Sequence, residues 1–216
     1  PLAEMVLQKL GQAKAPLILA GDSIRRSEAY ADFRQLVDKL NIPGVAATCV
    51  ADLFPLGHPL YFQNFGVAGG RVGNFLLQNA DVLLIMGCRL SLNQIGFNYA
   101  AFAPDAYKIF VDLAAGELQK ETIKIQMPVQ SDLKPFLAAM NKRLVEPWKP
   151  NEAWLSYACA LRDRFPLLGN VQKHEGVNQY LFAKALMEHL PSDGVVVAGN
   201  SSGSVMALCW GIDKDG

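Results

Sequence analysis

The residues that do chemistry are thinly spread in this 216-residue chain. Its three histidines, His58, His174 and His189, stand at no HExxH or other ligand spacing and read as loop or surface residues, not as a metal centre. The four cysteines, Cys49, Cys88, Cys159 and Cys209, form no CxxC pair, which points to free thiols in a reducing, cytoplasmic setting. Gly199-Asn200-Ser201-Ser202-Gly203 has the letters of a nucleophile elbow between a strand and a helix. A serine hydrolase of that order needs an acid and a histidine later in the chain, and no histidine follows before Gly216, so hydrolysis is the weaker reading. No carboxylate pair is spaced for acid–base work. The chain reads as a binding domain with no catalytic residue and no metal ligand of its own.

What it does offer is a series of apolar runs that each stop at a glycine or a small polar residue. Val82 to Met86 is entered through Asp81 and ends at Gly87, Cys88 and Arg89. That is the pattern of a parallel strand buried on both faces and delivering a tight turn and a fixed cation at its carboxyl end. In open α/β sheets ligands lie beyond those ends. Residues 16–21 repeat the pattern, placing Gly21, Asp22 and Ser23 at the start of a helix, with Ser23 or Ser27 as its cap. Residues 45–50 leave Thr48 and Cys49 near a strand end. Gly66-Val67-Ala68-Gly69-Gly70-Arg71-Val72-Gly73 heads a further helix and can admit a flat ring or a diphosphate close to backbone; tight helix-to-sheet packing accounts for some of its glycines. Asp112 closes a strand over 107–113, where a carboxylate accepts ribose hydroxyls or caps the next turn. The fingerprint GxGxxG is absent, so at Gly21 a structural turn is the favoured reading over an anion site.

The elements that must position these tips follow from periodicity. A helix opens the chain on Leu2, Met5, Val6 and Leu10, to about Ala13. A long helix from Ser23 carries Ile24, Tyr30, Phe33, Leu36, Val37 and Leu40. Residues 52–66, rich in Pro, Gly, His and aromatics, read as a functional loop with no period. The stretch 91–104 reads as irregular or short helical cover. Residues 123–127 form an outer sixth element, and 128–132 lead into a helix marked by Leu133, Phe136, Leu137, Met140 and Leu144, with Pro135 in its first turn. The sequence changes character at 145–150. Trp154, Leu155, Tyr157, Ala158 and Leu161 continue as an amphipathic helix, and a new helix, strand and helix begin at Val177. The resulting division is a domain over 1–145, a linker over 146–176 and a partial second α/β unit over 177–216.

Composition narrows the partners. Hydrophobic residues make up 51% of the chain and charged residues 19%, so a sizeable core is available. Lys plus Arg and Asp plus Glu both number 20, which gives no pull toward nucleic acid or an anionic membrane. No apolar run approaches the ~20 residues of a membrane helix. The last apolar segment has no later chain to pack against, so we expect a piece of a longer protein.

The ordered segments LILAGDS at 17–23, NIPGVAAT at 41–48, GHPLYFQNFGVAGG at 57–70, NADVLLIMGCRLSLNQIG at 79–96, AYKIFVDLAAGEL at 106–118 and PVQSDLKPFLAAM at 128–140 resemble the central domain of thiamine-diphosphate-dependent enzymes of the acetolactate synthase type. The resemblance covers residues 3 to about 144, and VVVAGNSSGSVMA at 195–207 is similar to the start of the same family's diphosphate-binding domain. It implies a Rossmann-like six-stranded parallel sheet flanked by helices, within a homo-oligomeric enzyme that decarboxylates or condenses 2-keto acids using thiamine diphosphate and Mg²⁺. The cofactor carries the hard chemistry there and protein groups orient it. This chain would lack the domain bearing the activating glutamate and the metal motif, and alone would be inactive. Some members hold FAD in the central domain, and others ADP or nothing. Matched to their pattern, the pocket comprises Gly21, Thr48, Cys49, Gly66, Val67, Gly69, Gly87, Cys88, Arg89, Asp112 and Asp132, with Asn200 and Ser201 at the diphosphate loop. The chain departs from the flavin pattern twice: Asp112-Leu113-Ala114 stands where Asp-x-Asp is common, and Val67-Ala68-Gly69 where Met-His-Gly is common.

Overall fold

A computed structural model describes residues 1–54, 57–166, 168, 176–191, 197 and 199. Six strands form one sheet in the order β3-β2-β1-β4-β5-β6, every neighbouring pair parallel. They are β1 (Pro16–Ala20), β2 (Gly44–Ala47), β3 (Tyr61–Phe65), β4 (Val82–Met86), β5 (Tyr107–Asp112) and β6 (Met127–Gln130). Nine helices among the described residues surround or follow it: α1 (Leu2–Gly11), α2 (Ser23–Arg26), α3 (Tyr30–Leu40), α4 (Arg71–Asn79), α5 (Leu92–Ile95), α6 (Ala115–Leu118), α7 (Leu133–Arg143), α8 (Glu152–Arg164) and α9 (Gln179–His189).

The central strands are unbroken apolar runs because both their faces are covered. Leu17 to Ala20 and Leu83 to Met86 are fully buried. The chain winds from β1 outward to β3, then returns through α4 to β4 on the far side of β1. Since parallel crossovers are right-handed, this reversal puts α4 on the face opposite α3. Consistent with that, α7 packs on α1 and α3, while α4 packs on β3 and α8. Phe33, Phe54, Phe62, Phe65 and Phe110 are the largest side chains wholly inside.

Four expectations need correction. The helix from Ser23 is two helices, α2 and α3, parted where Glu28 takes φ 52°. The second strand stops at Ala47, so Thr48 and Cys49 open a 3₁₀ turn over Thr48–Leu53 and are not part of the strand. Residues 52–66 are not all loop, because β3 lies within them. Its period is masked by a register irregularity against β2 and by Gln63 at φ 68°. The sixth strand is Met127–Gln130, starting four residues later than expected. Pro128 is compatible with this because β6 pairs only with β5, so its missing N–H faces away from the ladder.

The opposite, amino-terminal edge of the sheet is tied together by side chains. Asp81 accepts the amides of Lys14 (2.7 Å) and Ala15 (2.9 Å), locking the entrance of β1 to that of β4. Residues 145–151 lie across the ends of α1 and α3 as a strap, with the Trp148 amide donating to Lys39 O (2.8 Å). Asn151 caps α8 by accepting the Trp154 amide (3.1 Å), and the Trp154 indole donates to Pro16 O (2.8 Å). The helix expected after Val177 is α9; the strand expected over 195–199 lies mostly outside the described residues.

Candidate functional site

Six parallel strands put all six carboxyl ends along one edge, and that edge carries the residues singled out from the sequence over 21–132. Next to β1, Gly21 is so close to the β4 tip that a Cβ there would sit 2.1 Å from Gly87 O and 2.5 Å from Gly87 C. The Gly21 amide donates to Met86 O (2.9 Å) and the Ser23 amide to Gly87 O (3.4 Å). Gly87 itself has φ 61°, and a Cβ on it would meet Ser23 Cβ at 2.6 Å. The crevice at the topological switch between β1 and β4 is therefore bridged by backbone, and these two glycines exist to let the tips touch.

The glycine run before α4 resolves the same way. A Cβ on Gly66 (φ 103°) would meet Asn93 O at 2.6 Å, one on Gly69 would meet Phe65 C at 2.5 Å, and one on Gly73 would meet Asn64 O at 2.4 Å. Gly70 faces the Gln63 side chain. Close packing against backbone thus accounts for Gly66, Gly69 and Gly73, the last within α4, while Gly70 meets only the movable Gln63 side chain. Gly66 is also clamped by Asn74, which both donates to its carbonyl and accepts its amide. Val67 is 72% exposed and its amide donates to Asn93 O (2.8 Å), joining this loop to α5.

Open volume appears one step along the rim. A cleft of about 380 Å³ is lined by Ser23, Arg26, Ser27, Gly87, Asp112, Leu113, Ser131, Asp132 and Leu133. It brings together Gly87, Asp112 and Asp132 from the sequence-based set, contributed by the tips of β4, β5 and β6. One oxygen of each carboxylate is engaged: Asp112 Oδ1 accepts the Ala114 amide (2.8 Å), and Asp132 Oδ1 caps α7 through the Lys134 amide (2.9 Å). The second oxygens and the serine hydroxyls make a set suited to sugar hydroxyls. Arg26, in contact range of Asp22 at 3.6 Å, supplies a cation. Arg26 and Ser131 escaped sequence reasoning. Arg26 follows Asp22 by four residues, a spacing that signals a pair on one helical face.

The remaining nominees lie on the rim but line other surfaces. Cys88 is fully buried and its thiol points at Leu19 O (3.6 Å). Burial, followed by the charges of Cys49, Asp22 and Asp112, pushes that thiol well above its ordinary range. Cys49 is exposed, yet partial desolvation and then Asp22 push its thiol up as well. Thr48 is half-buried beside it. Arg89 points outward to Glu117 (3.4 Å), which also pairs with Lys120, while Lys120 donates to Arg89 O. Asn200, Ser201 and the GxSxG letters fall outside the described residues. His58 is a structural residue: it accepts the Leu60 amide and pairs with Asp38 (3.2 Å). Among the described residues no group of three or more His, Cys, Asp or Glu could hold a metal ion, and no helix is long and apolar enough to cross a membrane.

The model of the thiamine pyrophosphate enzyme central domain matches residues 3–140. The chain belongs to this family. Members of known name extend the match. The chain is 26% identical over 203 residues to the acetolactate synthase large subunit of Corynebacterium glutamicum, covering 91% of this chain and 32% of that protein. It is 31% identical over 160 residues to the acetolactate synthase isozyme 1 large subunit of Escherichia coli strain K12, covering 73% of this chain and 27% of that protein. It is 29% identical over 147 residues to the sulfoacetaldehyde acetyltransferase of Alcaligenes xylosoxydans, covering 66% and 24%. The chain spans about a third of the length of the first acetolactate synthases it matches. The central-domain family is the class expected from the ordered segments, and the six-stranded parallel sheet is the expected fold.

Proposed function

We propose that this chain is the central part of an acetolactate synthase-like enzyme that decarboxylates and condenses 2-keto acids with thiamine diphosphate and Mg²⁺, working as a homo-oligomer in the cytoplasm. The match of residues 3–140 to the central-domain family carries this reading. Thiamine diphosphate supplies the carbanion chemistry when bound. On this reading Asn200 and Ser201 belong to its diphosphate loop, and the chain alone is inactive.

Within the central domain we infer a nucleotide site at the rim cleft. Asp112 and Asp132 would receive the ribose hydroxyls, Ser23, Ser27 and Ser131 would complete the polar wall, and Arg26 would face the diphosphate. The remaining nominees would act around it: Gly21 and Gly87 by shaping the wall, Thr48, Cys49, Cys88 and Arg89 along the neighbouring rim, and Gly66, Val67 and Gly69 toward the far end of a longer ligand. The volume is at the low end of small-molecule sites, about 300 to 1,000 Å³, which suits ADP or one half of FAD. Titrating ADP, FAD and NAD against the purified chain tests the site. ADP or FAD binding that falls more than about tenfold in Asp112→Ala supports it, the lower end expected for charge-assisted bonds. Tight NAD binding counts against it, and no binding leaves the domain a scaffold. Release of CO₂ from 2-keto acids by the whole protein with thiamine diphosphate and Mg²⁺, and none by this chain, tests the enzyme reading.

A further inference from the structure

A second cleft, of about 410 Å³, opens at the other end of the sheet, beneath the strap. Its floor is the start of β1 at Pro16 and the approach to β2 at Ile42 and Pro43, its sides are the last turns of α1 and α3, and its roof carries the Trp148 and Trp154 indoles. Four hydrogen bonds of 2.7 to 2.8 Å fix that roof: Trp148 N to Lys39 O, Asn41 Nδ2 to Trp148 O, Asn151 Nδ2 to Lys14 O, and Trp154 Nε1 to Pro16 O. The cleft is therefore preformed, as small-molecule sites usually are. Gly11 ends α1 directly against the Trp148 ring, where a Cβ would touch Cη2 at 3.7 Å, and Trp148 remains half-buried.

The electrostatics select the ligand's charge. Three of the carbonyls at the two helix ends have donors, which blunts the partial negative charge of those ends: Leu10 O takes the Ala13 amide, Val37 O the Asn41 amide and Lys39 O the Trp148 amide. The only ionisable side chain among the lining residues is Lys149. An aromatic wall with one cation beside it matches a flat ring carrying one negative charge. We propose that this cleft is a second small-molecule site, separate from the rim, that takes a planar aromatic carboxylate with its ring against Trp148 and its carboxylate at the Lys149 ammonium.

Trp148 and Trp154 are two of the three tryptophans, so NMR of indole-labelled full chain reads the site directly. The probe is 2-naphthoate, and 2-naphthylmethylamine is the same ring with the opposite charge. Naphthoate is expected to shift the Trp148 and Trp154 indole signals saturably and to bind more tightly than the amine. Lys149→Gln, at an exposed position, should weaken naphthoate about threefold without changing the melting temperature. Gly11→Leu, which fills the space beside Trp148, should abolish the shift. A response that never saturates up to millimolar probe, equal binding of the two probes, or naphthoate binding indifferent to Lys149→Gln would overturn the proposal.

Discussion

Replacing Gly21 by alanine tests the contact on which the rim depends. The added Cβ would lie 2.1 Å from Gly87 O, 2.5 Å from Gly87 C and 2.7 Å from Cys88 Cα, all backbone atoms that cannot swing aside. Reaching ordinary van der Waals separation requires the tips of β1 and β4 to part by roughly 1.5 Å. That movement breaks the bonds from Gly21 N to Met86 O and from Ser23 N to Gly87 O, at about 1 kcal/mol each. Overpacking strain adds about 1 to 3 kcal/mol. The expected loss is about 4 kcal/mol, a large share of the roughly 5 to 15 kcal/mol that holds a typical domain. For a chain of this size it lowers the melting temperature by roughly 8 to 16 °C. Gly116→Ala is the control: a Cβ there meets nothing within 4 Å, so helix propensity makes it neutral to slightly stabilising, by up to about 1 kcal/mol. Thermal and urea unfolding followed by circular dichroism compare the two. If Gly21→Ala unfolds within about 1 kcal/mol of the parent chain, the tips are not in contact and the bridged crevice does not exist.

Three further outcomes follow from titratable groups. Lys108 is 3% exposed and donates to Ala103 O (2.6 Å) and Ala106 O (3.1 Å); desolvation lowers its pKa, with Asp105 opposing and Lys124 assisting. The unfolded chain therefore holds more protons than the folded one between the lowered value and the ordinary lysine range. Stability should rise with pH across that window, and Lys108→Met should lack the rise when melting is measured from neutral to alkaline pH. Iodoacetamide at mildly alkaline pH, read by mass spectrometry, should modify Cys49 and spare Cys88 until the chain is unfolded. Because Asp22 helps hold the Cys49 thiol up, Asp22→Asn should speed modification of Cys49; an unchanged rate would separate the two groups.

The sequence was most legible where burial is uniform. Val82 to Met86 is a run of apolar residues because β4 is covered on both faces, and the run marks the strand to the residue. It was least legible at the two sheet edges, where only one neighbour constrains the pattern. In β3 the left-handed Gln63 and the register irregularity break alternation, and in β6 a proline stands where a central strand would exclude it. The tips themselves were recognisable as tips, since glycine and short polar residues stop an apolar run. What each glycine faces was not, because the atoms that fill the place of a Gly21 or Gly66 Cβ come from residues 66 and 27 positions away, Gly87 and Asn93.

Those filling atoms decide how the rim can be used. In a doubly wound sheet the reversal of strand order splays neighbouring loops apart, and the phosphates of a nucleotide usually enter there onto helix amides. Here Gly21 and Gly87 close that entrance, and the amides of Gly21 and Ser23 are turned onto the carbonyls of Met86 and Gly87. The space that remains lies over β4, β5 and β6 and meets two carboxylates, three serine hydroxyls and the Arg26 guanidinium. Carboxylates repel phosphate and accept hydroxyls, so these groups suit sugar hydroxyls better than phosphate, with one cation beside them. On the proposed reading, a nucleotide held there would lie with its ribose over Asp112 and Asp132 and its diphosphate toward Arg26. The opposite orientation would press two anions together in a cleft of about 380 Å³.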